Sequence, residues 1–96
     1  MAIIVWGEIN ADGSILSGHG FESTRISTGQ YSIVFTPTFP ITPAIVGSQT
    51  RYGNATQDPR DNIVFPFVTN AQATALTGDN EGKLQDRNFS FIAVGP

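Results

Sequence analysis

Apolar and polar residues alternate with a period of two along most of the chain, a pattern typical of β-strands. Tyr31, Ile33 and Phe35, for example, share one face, whereas Ser32 and Val34 share the other. No segment has the 3.6-residue periodicity of a convincing amphipathic helix. The alternation predicts strands over residues 3–9, 21–26, 31–35, 44–50, 62–69, 72–77 and 88–95. A short return strand is also predicted to begin at residue 15.

Turn residues separate these predicted strands. Asp12-Gly13 lies between apolar runs, and Asp-Gly is a strong hairpin signal. The Gly-His-Gly run at 18–20 is expected to break or bulge the return strand. Prolines at 37, 40 and 43 mark strand ends, and Phe39 between them is expected to anchor that loop from beneath. We therefore expect an all-β fold, a small antiparallel β-sandwich of about seven strands, formed by a single domain over residues 1–96.

Two predicted strands are apolar on both faces, over residues 63–68 and 89–94. A sandwich strand needs only one apolar face, because the other lies in water. We expect the surplus apolar face to be covered by another copy of the chain. The alternative is one tightly closed barrel whose interior takes both sets of side chains. Trp6, within the first strand, is expected to pack in the core or between subunits; the alternative is stacking on a ligand.

Composition excludes several classes of function. The net charge of -3 and five scattered basic residues do not provide the basic face that nucleic acid requires. The longest apolar run, residues 2–6, is too short to span a membrane and lacks the flanks of a signal peptide. The sequence has no cysteine, so disulfides and thiol chemistry are excluded. The chain is interpreted either as a complete small protein or as a trimmed C-terminal domain.

Four runs, WGEINADGSI at 6–15, SGHGF at 17–21, TGQYSIVF at 28–35 and FSFIAVG at 89–95, carry a resemblance to a known family. They resemble the small C-terminal β-domains of bacteriophage tail fibres and of bacterial fibre or collagen-like proteins. The resemblance spans almost the whole chain except the 51–62 loop. It implies a homotrimer at the tip of a fibre, located on a virion tail fibre or at a cell surface.

A more distant similarity is to the H-type lectins, which are trimeric or hexameric sandwiches that bind N-acetylgalactosamine. The shared features are Phe35, Phe39, the run from Pro43 to Val46 and the closing strand. This sequence lacks the cysteines and the closing-strand tryptophan of that family. The similarity therefore does not assign that sugar specificity to this chain.

Catalytic and metal-binding groups are sparse in the sequence. The single histidine, His19, has no nucleophile or orienting partner specified beside it, and we interpret it as an exposed or interface side chain. The paired acids Asp58 with Asp61 and Asp79 with Glu81 fit turn chemistry; the alternatives are acid–base catalysis or calcium binding. We expect no enzymatic activity, no cofactor and no bound metal.

The polar loop over residues 51–62 is the best candidate binding surface, because it joins two strong strands. Tyr52 offers an aromatic face for stacking on a sugar ring. Hydrogen-bonding groups for a hydroxyl-rich ligand come from Arg51, Asn54, Asp58, Arg60 and Asn62. The alternative is a solvated connector in which Arg60 and Asp61 pair with each other.

The predicted function is a non-catalytic binding module of the fibre-tip type, which recognises cell-surface carbohydrate and whose partners are copies of itself and a surface glycan. The alternative is a trimerisation and capping domain with a purely structural role.

Overall fold

The computed structural model of the chain describes residues 2–52 and 57–96. These residues form eight β-strands: β1 (Ile3–Ile9), β2 (Ile15–His19), β3 (Phe21–Ser27), β4 (Gln30–Phe35), β5 (Ala44–Gln49), β6 (Asn62–Val68), β7 (Gln72–Gly78) and β8 (Phe89–Gly95). No helix that is long and apolar enough to cross a bilayer occurs over 2–52 and 57–96.

The strands form two antiparallel sheets of four strands each, which pack as a sandwich. Sheet A has the order β2-β1-β8-β5, and sheet B has the order β3-β4-β7-β6. The prediction of an all-β antiparallel sandwich is confirmed. The strand number is eight rather than about seven, because the chain leaves sheet A after His19 and enters sheet B at Phe21.

Aromatic side chains from both sheets fill the space between them. Phe21 of sheet B packs edge-on against Phe91 of sheet A, with ring centroids 4.9 Å apart. Tyr31 of sheet B likewise contacts Phe89 of sheet A at 5.0 Å. Such pairs stabilise a core by about 0.5–1.5 kcal/mol beyond the area they bury. The buried apolar residues are Val5, Ile9, Phe21, Tyr31, Ile33, Phe35, Phe39, Ile63, Ala73, Ala75, Phe89, Phe91 and Ala93.

The proline-rich connection between β4 and β5 is anchored as the sequence predicts. Phe39 is buried and packs edge-on against Phe35, with centroids 5.1 Å apart. Its backbone N–H donates to the carbonyl of Asn70 at 2.9 Å, and the Asn70 amide donates back to the Phe39 carbonyl at 3.2 Å. The expectation of an anchor at Phe39 is confirmed.

Strand β6 contains a one-residue bulge at Phe65 and Pro66. Val64 pairs with Leu76 and Phe67 with Thr74, so three steps along β6 match two steps along β7. β6 is an edge strand, and a bulge on an edge tolerates the missing N–H of Pro66. The bulge directs the Phe65 ring toward Gly47 of sheet A. A Cβ atom added at Gly47 would lie only 2.9 Å from Cζ of Phe65.

The outward side chains of β6 and β8 are left exposed by the single chain. Val64 and Phe67 on β6, like Ile92 and Val94 on β8, are exposed to solvent. The alternative of a closed barrel whose interior takes both sets is therefore wrong. Cover by a second copy stays a prediction. The core role considered for Trp6 is also wrong, because this side chain is exposed on the outer face of sheet A.

Candidate functional site

The loop that was predicted to bind ligand connects β5 of sheet A to β6 of sheet B. Of its predicted site residues, Arg51, Tyr52, Asp58 and Arg60 lie in the loop, and Asn62 is the first residue of β6. Asn54 lies outside the described residues. The loop therefore bridges the two sheets at one end of the sandwich.

A polar network centred on Gln49 attaches this loop to both sheets. The Gln49 amide nitrogen donates to the carbonyls of Asn62 and Gly78, at 2.7 and 2.8 Å. Its amide oxygen accepts from Arg87 Nη1 at 3.2 Å. The same Arg87 nitrogen lies 2.9 Å from Asp61 Oδ2, and the two side chains are only 17% and 6% exposed. This enclosed ion pair gives the loop a rigid base.

Asp61 and Asp58 form the turn that leads into β6. Asp61 Oδ2 accepts from the Asp58 backbone N–H at 3.0 Å, and the Asp61 N–H donates to the Asp58 carbonyl at 2.9 Å. This arrangement bears out the turn interpretation of these acids. The pairing of Arg60 with Asp61 in the solvated-connector alternative is wrong, because Asp61 pairs with Arg87.

Arg60 pairs instead with Asp58, which lies two residues earlier. Asp58 Oδ2 accepts from Arg60 Nη2 at 2.9 Å, and Asp58 Oδ1 accepts from the Arg60 backbone N–H at 2.8 Å. Asn80, on the turn after β7, donates its amide to Asp58 Oδ2 at 3.0 Å. Hydrogen bonds from the Arg60 side chain, the Arg60 backbone and Asn80 hold the pKa of Asp58 well below its usual range. This Asp58 clasp joins the loop to the turn after β7.

The Arg51 side chain is used inside the molecule. Its Nε lies 3.4 Å from a carboxylate oxygen of Glu8, and its two Nη atoms donate to the Asn10 side chain and the Ile9 carbonyl, both at 3.3 Å. Its backbone has a φ of 59°. Arg51 therefore fastens the start of the loop to β1, and its guanidinium has few donors left for a ligand.

Tyr52 is an exposed aromatic side chain, as a stacking role requires. The guanidinium carbon of Arg87 lies 5.7 Å from its ring centroid, within the range of a cation–π contact. Arg87 thus occupies one face of the ring, and stacking on a ligand would have to use the other face.

A pocket of about 280 Å³ lies between the loop and the turn after β7. Polar groups reach it from Arg60, Asn62, Asp79 and Asn80. Apolar side chains also line it, from Val64, Leu76 and Leu84. Of the predicted site residues, the pocket brings together Arg60 and Asn62, whereas Arg51, Tyr52 and Asp58 do not line it.

The side of the pocket formed by residues 79–84 was not predicted from the sequence as a binding surface. The turn interpretation of Asp79 is confirmed, because Asp79 Oδ1 accepts from the backbone N–H groups of Glu81 and Lys83, both at 2.9 Å. These hydrogen bonds lower the pKa of Asp79. The pairing of β6 with β7 brings this turn beside the loop. Interpreting residues 62–77 as a β-hairpin would have placed this turn beside the loop, and it was the signal available in the sequence.

The single histidine, His19, does not line the pocket. His19 is exposed on β2, with its ring centroid 6.1 Å from that of Trp6. Over 2–52 and 57–96, no three His, Asp or Glu side chains are grouped closely enough to hold a metal ion.

The lowered pKa values predict how stability depends on pH. Carboxylates whose folded pKa lies below the unfolded value of about 3.9 stabilise the fold above that pH and lose this contribution as the pH falls through the folded values. Asp58, Asp79 and Asp86 all have lowered pKa values. We expect the urea concentration at the unfolding midpoint to decrease as the pH is lowered below ~4. The Asp58→Asn variant, with one fewer titrating group, should lose less of its midpoint over this range. Equal losses in both proteins would contradict the role of the Asp58 clasp.

Two solved structures share this arrangement of sheets. One is an N-truncated R1-type pyocin tail fibre, with a TM-score of 0.62 and 18% identity over 99% of this chain and 71% of that chain. The chain has the fold of a tail-fibre domain. The other is a C-terminal part of the P. aeruginosa R1 pyocin fibre, with the same identity and TM-score, of which the match covers 23%.

These matches confirm, at the level of fold, the resemblance to tail-fibre domains. No protein-family model matches the chain, and no curated protein matches it. The similarity to H-type lectins stays a prediction.

Proposed function

We propose that this chain is a non-catalytic binding module of the fibre-tip type that recognises cell-surface carbohydrate. It would act as a homotrimer on a virion tail fibre or another extracellular fibre. The observation that carries the proposal is the pocket between the loop and the turn after β7, on a fold shared with pyocin tail fibres.

The chemistry of the pocket suits a sugar. Hydroxyl groups both donate and accept hydrogen bonds, and the pocket offers the Arg60 guanidinium and the Asn62 amide as donors and the Asp79 carboxylate as an acceptor. Val64 and Leu76 offer an apolar surface for the C–H face of the ring. At about 280 Å³ the pocket is slightly smaller than most ligand sites, which typically measure about 300–1,000 Å³. It therefore fits a single monosaccharide unit.

The Asp58 clasp favours binding because it orients Arg60 before a ligand arrives. Arg60 remains 73% exposed although it is paired, so its outer face stays accessible. A side chain held in its bound geometry loses less conformational entropy when the complex forms. The clasp also fixes Asn80 beside Arg60, because both side chains donate to Asp58 Oδ2.

Screening of the wild-type chain on a glycan array, followed by titration of any sugar bound, tests the proposal. Arg60→Ala is expected to weaken binding by about tenfold, the effect of losing one or two hydrogen bonds from a charged group. Arg25→Ala is the matched control, because Arg25 is also an ion-paired arginine but lies on β3, at the opposite edge of sheet B. Tyr52→Ala tests stacking separately. Binding that Arg60→Ala does not weaken would rule out the pocket as the site. Binding that neither variant weakens would rule out the whole loop.

A second candidate is a trimerisation and capping domain without a ligand. The observation that favours it is the internal use of Arg51, Asp58 and Asp61 within the loop. In this case no glycan on the array would bind, and fusion of the domain to a foreign fibrous stem would raise the melting temperature of that stem.

A further inference from the structure

The outer face of sheet A is apolar across β1, β8 and β5. Trp6 on β1 is opposite His19 on β2 and Ile92 on β8, and Ile92 is opposite Val46 on β5. Because strands in register place facing residues on the same side, these side chains form one continuous row. A second row, one pleat away, consists of Ile4, Val94 and Ala44.

The outer face of sheet B provides an internal comparison. Its equivalent rows are Thr24, Ser32, Thr74 and Phe67, then Glu22, Val34 and Gln72. They are mainly polar on β3, β4 and β7, and the exposed Phe67 lies on the edge strand β6. Both sheets have four strands and both cover the same core. Burial of the inner faces therefore does not explain why only sheet A has apolar rows across its centre. The difference indicates that sheet A is covered in the working protein and that the centre of sheet B faces water.

The apolar face is large enough to form the centre of a stable interface. Its large side chains are between 39% exposed, for Trp6, and 67% exposed, for Val46. Together they leave on the order of 500 Å² of apolar surface open to water, near the upper end for a soluble monomer. A standard interface buries about 800 Å² on each partner, with an apolar centre and a polar rim. A row of Ser17, Glu8, Ser90 and Ser48 borders the apolar face and can supply part of that rim.

We propose that the outer face of sheet A is the surface through which copies of this chain assemble, with Trp6 and Ile92 at the centre of the contact. The two rows consist of apolar side chains and His19, so they need no oppositely charged partner and can pack against the same rows of neighbouring copies around a threefold axis. The carboxylate of Glu8, in the bordering row, is paired within its own chain with Arg51 at 3.4 Å and accepts a hydrogen bond from Ser17 at 2.9 Å. The proposal does not rest on carbohydrate binding.

Substitution of one valine on each outer face tests the proposal. Val46→Lys places a charge in the apolar row of sheet A, on an edge strand where the isolated subunit tolerates it. Val34→Lys is the matched control on sheet B, where the new charge faces Glu22 across the strand pair. By light scattering at micromolar concentration, we expect the wild type and Val34→Lys to be oligomeric and Val46→Lys to be monomeric. A monomeric wild type would overturn the proposal.

Trp6 is the only tryptophan in the chain and reports directly on the face. Assembly should bury its indole, so dilution of the wild type through dissociation should move the emission maximum to longer wavelength. Val46→Lys should show the long-wavelength emission at every concentration while keeping the far-ultraviolet circular dichroism of a folded β protein. If the wild type is oligomeric and its emission is unchanged by dissociation, the interface lies elsewhere and the proposal is wrong. The dilution experiment needs no variant, so it stands even if Val46→Lys fails to fold.

Discussion

Gly18→Ala is expected to lower the free energy of unfolding by about 3–5 kcal/mol, a large part of the total of about 5–15 kcal/mol for a domain. Gly18 lies on β2, has a φ of 116° and is opposite Gly7 of β1. A Cβ there would lie 2.2 Å from the carbonyl oxygen of Trp6 and 2.6 Å from the Cα of Gly7. Because both contacts are backbone atoms of a paired strand, no side chain can rotate away to relieve them. The cost therefore combines backbone strain with displacement of β2.

Gly82→Ala is the control that separates strain from steric overlap. Gly82 also has a positive φ, of 81°, but no heavy atom of the described chain lies within 4 Å of the position of its Cβ. The expected cost is about 1–2 kcal/mol, from the left-handed backbone conformation alone. Equilibrium unfolding in urea, followed by circular dichroism, compares the two. Equal losses would show that β2 moves freely away from β1, contrary to the packing described.

The strand positions were predictable because alternation is a local signal. β1 has the predicted bounds, and Tyr31, Ile33 and Phe35 point into the core as their spacing indicates. The division between the sheets was harder to predict, because a period of two says which side chains share a face but not which sheet the strand joins. The sequence around Gly20 indicated a break, whereas the structure shows a change of sheet.

The residues of the candidate site were predictable only where they lie close together in the sequence. Arg60 and Asn62 were identified from the loop, and both line the pocket. The other wall, which includes Leu84, comes from the turn after β7 and depends on the pairing of β6 with β7. Ion pairs are equally non-local. The solvated-connector alternative paired Asp61 with its neighbour Arg60, whereas its partner, Arg87, lies 26 residues away.

The apolar outer face of sheet A was only partly predictable from the sequence. The apolar surplus on 63–68 and 89–94 was visible in the sequence, but only the register of the strands joins Ile92 to Trp6 and Val46 in one row. That register also shows that Val64 and Phe67 belong to a different surface, at the edge of sheet B. Surplus apolar residues in a sequence therefore indicate that another surface must cover them, whereas the strand pairing shows which face of which sheet they form.

Asp61→Ala is expected to lower the free energy of unfolding by about 3–5 kcal/mol, the usual cost of removing one partner of an enclosed ion pair. The change would leave the Arg87 guanidinium, which is 17% exposed, without its carboxylate. It would also remove the acceptor for the Asp58 backbone N–H. The loop would then lose its base at the Gln49 network while its outer contacts through Arg51 remained. Urea unfolding measures the total cost.

A double-mutant cycle identifies the cause of that loss. In an Arg87→Met background no guanidinium is left unpaired, so Asp61→Ala should cost about 1–3 kcal/mol less than it does in the wild type. The remaining cost measures the turn contact to Asp58. Additive costs would mean that Asp61 acts only through this turn and that the ion pair contributes nothing to holding the loop between the sheets. Because the same loop carries Arg60, an additive result would also remove the rigid base from which that side chain is presented to a ligand.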